Sequence, residues 1–143
     1  IMTEAQREIY KEKMELDFSI QVDENLRFRV NTFNTINGPA AVFREIPIEI
    51  KSLTEINAPE IIRRLSYSKK GLVLVVGPTG SGKSTTLAAL IDQINTSHPH
   101  HIITIEDPVE FIHTNKKSLI NQREVGSSTQ SFANALKSAL SLN

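Results

Sequence analysis

The sequence predicts an α/β protein whose two parts are built differently. Between residues 16 and 48, apolar and polar residues alternate in short runs separated by turn residues, which is typical of antiparallel strands. From residue 72 onward, continuous apolar runs alternate with amphipathic helical patterns, as in parallel sheets buried on both faces. A polar stretch at 66–71 separates the two patterns. We therefore expect one domain over 1–67 and another over 68–143.

The composition is that of a globular chain and favours no particular partner. Sixteen Lys and Arg residues balance sixteen Asp and Glu residues, so no net charge attracts nucleic acid or an anionic membrane. The chain has no cysteine, which excludes disulfides and thiolate metal sites. No apolar run approaches the roughly 18 residues of a membrane span. These observations predict a cytoplasmic protein that binds no nucleic acid and does not insert into a membrane.

One helix and three strands are predicted in the first part. The helix covers residues 3–14, with Thr3 as N-cap and Gln6 as the other half of a capping box. Two strands, "LDFSIQV" and "LRFRVNTF", flank a hairpin turn at 23–25, and a third, "AAVFREI", follows a turn at 37–39. The three strands predict an antiparallel meander.

Strand and helix patterns alternate in the second part. The predicted segments are a short helix at 59–65, a buried strand at 72–76, a helix at 83–94, a buried strand at 101–105 and an extended segment at 118–125. A last amphipathic helix carries apolar residues from Phe132 to Leu140, with Ser127, Ser128 and Thr129 as candidate caps.

The stretch "GPTGSGKS" at 77–84 matches the phosphate-loop motif G-x-x-x-x-G-K-[ST] in full. A predicted strand precedes it and a predicted helix follows, so the N–H groups of the loop and the helix N-terminus converge on one anion. A glycine-rich turn that only joins two elements is the alternative. The motif predicts ATP and Mg²⁺ as cofactors. The candidate nucleotide-binding residues are Gly77, Pro78, Thr79, Gly80, Ser81, Gly82, Lys83, Ser84 and Thr85.

Three residue types in this motif have separate predicted roles. The glycines allow positive φ angles and close approach of the backbone to phosphate. Lys83 reaches the β- and γ-phosphates and is a candidate catalytic residue as well as a binding one. Ser84 is the candidate Mg²⁺ ligand, and Thr85 adds a contact on the α-phosphate side.

Three carboxylates lie in "TIEDPVEF", directly after the second buried strand. Ligands of open α/β sheets bind at the carboxyl ends of strands, which is where Glu106, Asp107 and Glu110 are expected. The intervening Pro108 ends the strand and can return Glu110 toward the γ-phosphate, where a carboxylate orients or deprotonates water. The pattern alone is equally compatible with solvated turn residues.

The segments "GLVLVVGPTGSGKSTTLAALID", "HIITIEDPVEF" and "NQREVG" together resemble the type IV pilus retraction ATPases, the PilT family within the secretion-ATPase superfamily. Upstream, "LDFSIQV", "RFRVNTFN" and "GPAAVFREIP" resemble the end of the family's PAS-like N-terminal domain. The resemblance implies a partial PAS-like α+β domain followed by the first half of a RecA-like P-loop core.

This resemblance implies a cytoplasmic homo-hexamer that couples ATP hydrolysis to pulling pilin subunits back into the inner membrane, which drives twitching motility. It also implies a membrane platform protein of the pilus as partner. One alternative is an assembly ATPase of the same superfamily, acting in pilus extension or type II secretion. Another is a nucleotide-binding or oligomerisation module without catalysis.

The resemblance also implies roles for individual residues. It places the catalytic glutamate at Glu110, with Glu106 as a second candidate for the Mg²⁺ and water network. Arginines of the family's N-terminal domain reach phosphates, and the matching segments offer Arg29 and Arg44, with Arg27 in reserve. Alternation places Arg27 and Arg29 opposite an apolar face, where ordinary solvated strand charges are the alternative.

Relative to the family, the N-terminal domain starts late and the core stops before the Walker B and histidine boxes. We expect a fragment of marginal stability with little ATP hydrolysis by itself. Two smaller patterns stay open: "HPHH" at 98–101 is a possible metal site or a loop entering a strand, and "NQREV" at 121–125 is a subunit contact or a solvated strand. His113 has no visible partner in the sequence.

Overall fold

The computed structural model describes residues 1–23, 26–47 and 49–141. They fall into two compact units, Ile1–Ile48 and Glu49–Asn143. Helices and strands occur in both units, so the predicted mixed α/β class is confirmed. The predicted domain boundary after residue 67 stays a prediction.

The first unit is one helix followed by an antiparallel meander, as predicted. Its elements are α1 (Glu4–Lys13), β1 (Glu15–Asp23), β2 (Leu26–Thr35) and β3 (Gly38–Ile46). The sheet order is β1-β2-β3, with both neighbouring pairs antiparallel. The capping box of Thr3 and Gln6 is present at the start of α1. The predicted turn at 23–25 includes Glu24 and Asn25, which lie outside the described residues.

Alternation in the strands places an apolar core on one face of this sheet. Val30 is fully buried at the centre of β2, directly between Phe18 on β1 and Phe43 on β3. Phe28 and Phe43 add an edge-to-face ring contact at 6.2 Å between centroids. Side chains two residues apart share a face, so the sequence pattern alone specifies this register.

The second unit combines three helices with a two-stranded parallel sheet. Its elements are α2 (Glu60–Leu65), α3 (Lys83–Ser97), β4 (His101–Glu106), β5 (Leu119–Glu124) and α4 (Phe132–Leu140). The strands β4 and β5 run parallel, with His101 opposite Leu119 and Glu106 opposite Glu124. The predicted extended segment at 118–125 is therefore a strand. Because the pairing is parallel and in step, both strands end at the same edge of the sheet.

Two predicted helix starts are corrected. Pro59 is the N-cap of α2 and not part of its first turn. The cap of α4 is Ser131, whose side chain accepts a hydrogen bond from the Asn134 N–H, so Ser127, Ser128 and Thr129 are not its caps. The backbone N–H groups of these three residues point instead to the carbonyl oxygen of Glu124, forming the turn that leaves β5.

The predicted buried strand at 72–76 is wrong in its pairing and its burial. The segment has no assigned strand, and Leu72 and Val76 are 83% and 84% exposed. Branched apolar residues of a parallel strand are buried only when other elements cover both faces of the sheet, and a strand also needs a neighbour to pair with. Among the described residues, the second unit offers only β4 and β5 as strands, and these pair with each other.

A buried asparagine joins α3 to the approach to β5. The Asn95 side chain is fully buried, donates to the Thr114 carbonyl at 2.8 Å and accepts from the N–H groups of Lys116 and Ser118 at 3.0 and 3.3 Å. Each polar atom of the amide is thus satisfied, as burial requires. This fixes the position from which β5 starts.

None of the four helices in the described ranges combines the length and apolar character needed to span a bilayer.

Candidate nucleotide-binding site

The phosphate loop lies between the apolar run 72–76 and α3. The helix after the loop is present as predicted, whereas the predicted strand before it is not. Gly82 is the N-cap of α3 with φ 85°, and Gly80 has φ 80°. Both are in the left-handed region that side chains other than glycine rarely adopt. No side chain caps α3, and its first turn contains no acidic residue. The orphan N–H groups and the positive end of the helix dipole are therefore available to an anion.

The loop is organised around one carbonyl oxygen. The Pro78 oxygen accepts hydrogen bonds from the Ser81 N–H and hydroxyl at 3.3 and 2.8 Å, and from Lys83 Nζ at 2.7 Å. A Cβ added at Gly77 would lie 2.7 Å from Ser81 Oγ, so a side chain there displaces this serine. The hydrogen bond to Pro78 therefore keeps the Lys83 ammonium close to the backbone of the loop.

The acids after β4 and the serine of the phosphate loop line one cavity. Ser84 in the first turn of α3, Glu106 at the end of β4, and Asp107 and Glu110 beyond it surround a volume of about 470 Å³. The structure thus brings together residues that the sequence separates by more than twenty positions. Hydroxyl and carboxylate oxygens are the donors that Mg²⁺ prefers, so the chemistry of these residues suits this ion.

The two candidate catalytic glutamates have different surroundings. Glu106 is half-buried, and its Oε1 accepts from Thr104 Oγ1 at 2.6 Å and from Gln122 Nε2 at 3.1 Å. Glu110 is exposed, although Val109 before it is buried. Glu106 is therefore fixed in place, whereas the carboxylate of Glu110 faces solvent at the cavity. The peptide bond between Asp107 and Pro108 is cis.

Sequence reasoning missed Gln122 and Glu124. Besides Glu106, the Gln122 amide bonds the backbone of Phe111 and His113. Glu124 Oε2 accepts the Val109 N–H at 2.9 Å. In the sequence, their spacing of two predicts only that both side chains lie on the same face of a strand. Which residues they contact depends on which strand pairs with β5. Arg123, between them, points the other way and reaches carbonyl oxygens of Ser128 and Ala135 at 3.4 and 3.5 Å.

A second cavity, of about 280 Å³, is lined in part by the loop. Its walls come from the turn before α2 and from the start of α3. The lining residues are Ile56, Asn57, Ala58, Pro59, Ile62, Ser81, Gly82, Thr85 and Thr86. Asn57 adopts a left-handed φ of 51°, a conformation that asparagine tolerates better than most residues. No motif marks this turn in the sequence.

His113 also lines the larger cavity, and its Nδ1 is buried without a hydrogen-bond partner. Burial lowers the pKa of His113 below its ordinary value of 6.5, although the charges of Asp92 and Glu106 act in the opposite direction. The folded protein therefore favours the neutral imidazole.

This pKa predicts a loss of stability in mild acid. Below about pH 6.5 the unfolded chain binds a proton at His113 more readily than the folded protein does, at a cost of at most about 1.4 kcal/mol per pH unit. The stabilisation is complete above pH 6.5 and is lost as the pH falls through the folded pKa. Urea unfolding at pH 7.5 and 5.5 should show a larger loss in the wild type than in His113→Gln. Equal losses would contradict a buried neutral imidazole.

The arginines implicated by resemblance lie in the first unit. Arg29 on β2 stands opposite Arg44 on β3, so their side chains leave the same face. Arg29 makes an ion pair with Asp17 at 2.7 Å, and the Arg27 guanidinium donates to Ser19 Oγ at 2.7 Å. A contact of Arg29, Arg44 or Arg27 with phosphate stays a prediction.

The histidines of "HPHH" belong to the entry into β4. His98 ends α3 and stacks on His100 at 5.3 Å between ring centroids, and His101 is the first residue of β4. In the described part of the chain, no group of three or more His, Cys, Asp or Glu side chains is arranged to hold a metal ion. These histidines therefore lie where the loop after α3 leads into β4.

Comparison with known proteins finds the same family over nearly the whole chain. The model of the type II/IV secretion system protein family matches residues 2–142. A twitching motility protein of Neisseria gonorrhoeae is 59% identical over 140 residues, covering 98% of this chain and 37% of the relative. The type IV pilus retraction ATPase PilT of Pseudomonas aeruginosa is 53% identical over 140 residues, covering 98% of this chain and 41% of the relative.

A solved structure agrees in fold as well as in sequence. The crystal structure of the pilus retraction motor PilT with bound ADP superimposes with a TM-score of 0.94 at 48% identity, covering 99% of this chain and 41% of that chain. The chain thus spans 37–41% of the length of these relatives.

Proposed function

Because this chain belongs to the type II/IV secretion system protein family, we propose that it is the ATP-binding part of a motor ATPase that powers type IV pilus retraction. The identities of 59% and 53% to a twitching motility protein and a pilus retraction ATPase support retraction as the role. The motor is a homo-hexamer that acts in the cytoplasm on a platform protein of the pilus in the inner membrane.

The cavity shared by Ser84 and the acidic loop is the observation that carries the ATP-binding and hydrolysis part of this proposal. Lys83 would neutralise the β- and γ-phosphates of bound ATP, and Ser84 would hold Mg²⁺, which neutralises phosphate charge when bound. Glu110 would orient and deprotonate the attacking water, and Glu106 would help to hold the ion and its water. A helix N-terminus without a competing cap or acid supports phosphate binding at the loop.

The smaller cavity is suited to the nucleoside end of ATP. It adjoins Gly82 and Thr85, so a nucleotide whose phosphates occupy the loop can extend into it. The ring and methyl groups of Pro59, Ala58 and Ile62 offer an apolar surface for a planar base.

A chimera tests retraction directly. Residues 2–142 of this chain replace the matching segment of the gonococcal twitching motility protein in a strain that lacks the native protein. We expect the chimera to restore twitching, and the same chimera with Lys83→Ala to fail. A chimera that hydrolyses ATP as fast as the parent but does not restore twitching would contradict a retraction role and favour an assembly or secretion ATPase.

A further inference from the structure

Two side chains of β5, Gln122 and Glu124, bond the backbone of the acidic loop. They are two residues apart on a strand and therefore share a face. Gln122 Oε1 accepts the His113 N–H at 2.8 Å, and its Nε2 donates to the Phe111 carbonyl at 2.7 Å. Glu124 Oε2 accepts the Val109 N–H at 2.9 Å. The loop is held at three alternate residues.

These bonds lie on both sides of Glu110. The stretch from Val109 to His113 has no helix or strand of its own, so no backbone ladder fixes its path. The hydrogen bonds at Val109 and Phe111 replace such a ladder, and burial of the Val109 side chain adds an apolar anchor. The backbone of Glu110 therefore lies between two hydrogen-bonded neighbours.

Gln122 also connects this loop to the second glutamate. The same Nε2 that donates to the Phe111 carbonyl lies 3.1 Å from Glu106 Oε1. Thr104, two residues earlier on β4, donates to the same Glu106 oxygen. One amide group therefore bonds both Glu106, at the end of β4, and the loop that carries Glu110.

We propose that Gln122 and Glu124 are positioning residues that hold Glu110 and Glu106 in the geometry needed for ATP hydrolysis. This rests on the proposed function. In this proposal neither Gln122 nor Glu124 contacts the nucleotide. A displacement of about 1 Å at a reacting group is enough to cost on the order of 100-fold in rate, so supports of this kind act on turnover and not on binding.

Gln122→Met in the full-length protein removes the three hydrogen bonds at nearly constant side-chain volume. We expect kcat for ATP to fall about 10- to 100-fold while KM and the calorimetric Kd for ATP change less than about twofold. Asn121→Leu is the matched control, because it removes the hydrogen bond to His101 from the other face of the same strand. It should leave kcat unchanged. A normal kcat in Gln122→Met, or an equal loss in Asn121→Leu, would overturn the proposal.

A pair of variants at Glu124 separates positioning from charge. Glu124→Ala removes the acceptor for the Val109 N–H, whereas Glu124→Gln keeps an acceptor oxygen and removes only the charge. We expect kcat to fall in the alanine variant and to recover to within about threefold of wild type in the glutamine variant. Equal impairment of both would assign the effect to the carboxylate charge and contradict positioning. This pair decides the question even if Gln122→Met does not fold.

Glu110→Gln separates failure of this inference from failure of the proposed function. A wild-type protein without ATP hydrolysis would contradict the proposed function itself. Loss of turnover in Glu110→Gln with normal turnover in Gln122→Met and Glu124→Ala would contradict only the positioning role.

Discussion

Lys83→Ala should abolish ATP binding to this chain in isothermal titration calorimetry. Micromolar affinity corresponds to about 8 kcal/mol, whereas a helix dipole contributes up to about 2 kcal/mol in a favourable site. The uncapped start of α3 therefore does not hold the triphosphate by itself. The Lys83 ammonium, 2.7 Å from the Pro78 oxygen, is already held over the loop and provides the missing positive charge.

Lys117→Ala is the control for this experiment, since it removes another lysine whose side chain is exposed and lies outside both cavities of the loop. Its ATP affinity should equal that of the wild type. Unchanged affinity in Lys83→Ala would exclude the loop as the phosphate site, whatever the sequence motif suggests.

Glu110→Gln in the full-length protein should leave ATP binding intact and stop turnover. General base catalysis contributes about 100- to 10,000-fold, and an amide at this position cannot accept the proton of water. We therefore expect kcat to fall at least about 100-fold with the Kd for ATP unchanged. Steady-state hydrolysis and calorimetry on the same preparation measure the two quantities.

Glu12→Gln on the exposed surface of α1 is the charge-matched control and should turn over normally. If Glu110→Gln also turned over normally, Glu110 would be a solvated turn residue. Loss of ATP binding together with turnover would instead give this carboxylate a role in holding the nucleotide or its metal ion.

Local chemistry explains which parts of the structure the sequence predicts. The capping box of Thr3 and Gln6 and the phosphate loop each depend on residues within one short stretch, and both are found as predicted. The meander of the first unit also follows from local alternation, because a wrong register would move Val30 from the core to solvent.

Features that depend on distant partners could not be predicted in this way. The run at 72–76 is apolar enough for a buried strand, but pairing requires a neighbouring strand and burial requires elements packed on its faces, and no local pattern specifies either. The cap of α4 is Ser131 because the hydroxyls at 127–129 belong to a turn whose position depends on where β5 ends. From the sequence alone, each of these hydroxyl residues is an equally good candidate for the cap of α4, because the end of β5 is not specified.

The residues of the candidate site also differ in whether local sequence or distant partners determine their positions. Glu106 and Glu110 were predicted from their position after a strand, and the cavity with Ser84 agrees with that position. Gln122 remained unassigned because its partner, Glu106, becomes its neighbour only through the parallel register of β4 and β5. A contact that depends on the register between two strands cannot be predicted from the sequence of one strand.

The exposed run at 72–76 also has a consequence for how this chain behaves in concentrated solution. It is apolar, free of charge and largely exposed, which are properties of segments that pair with the same segment of another molecule. Lys69 and Lys70 come immediately before it, and like charges brought together by stacking repel one another. We therefore expect these two lysines to oppose pairing of this exposed apolar run with its copies in other molecules.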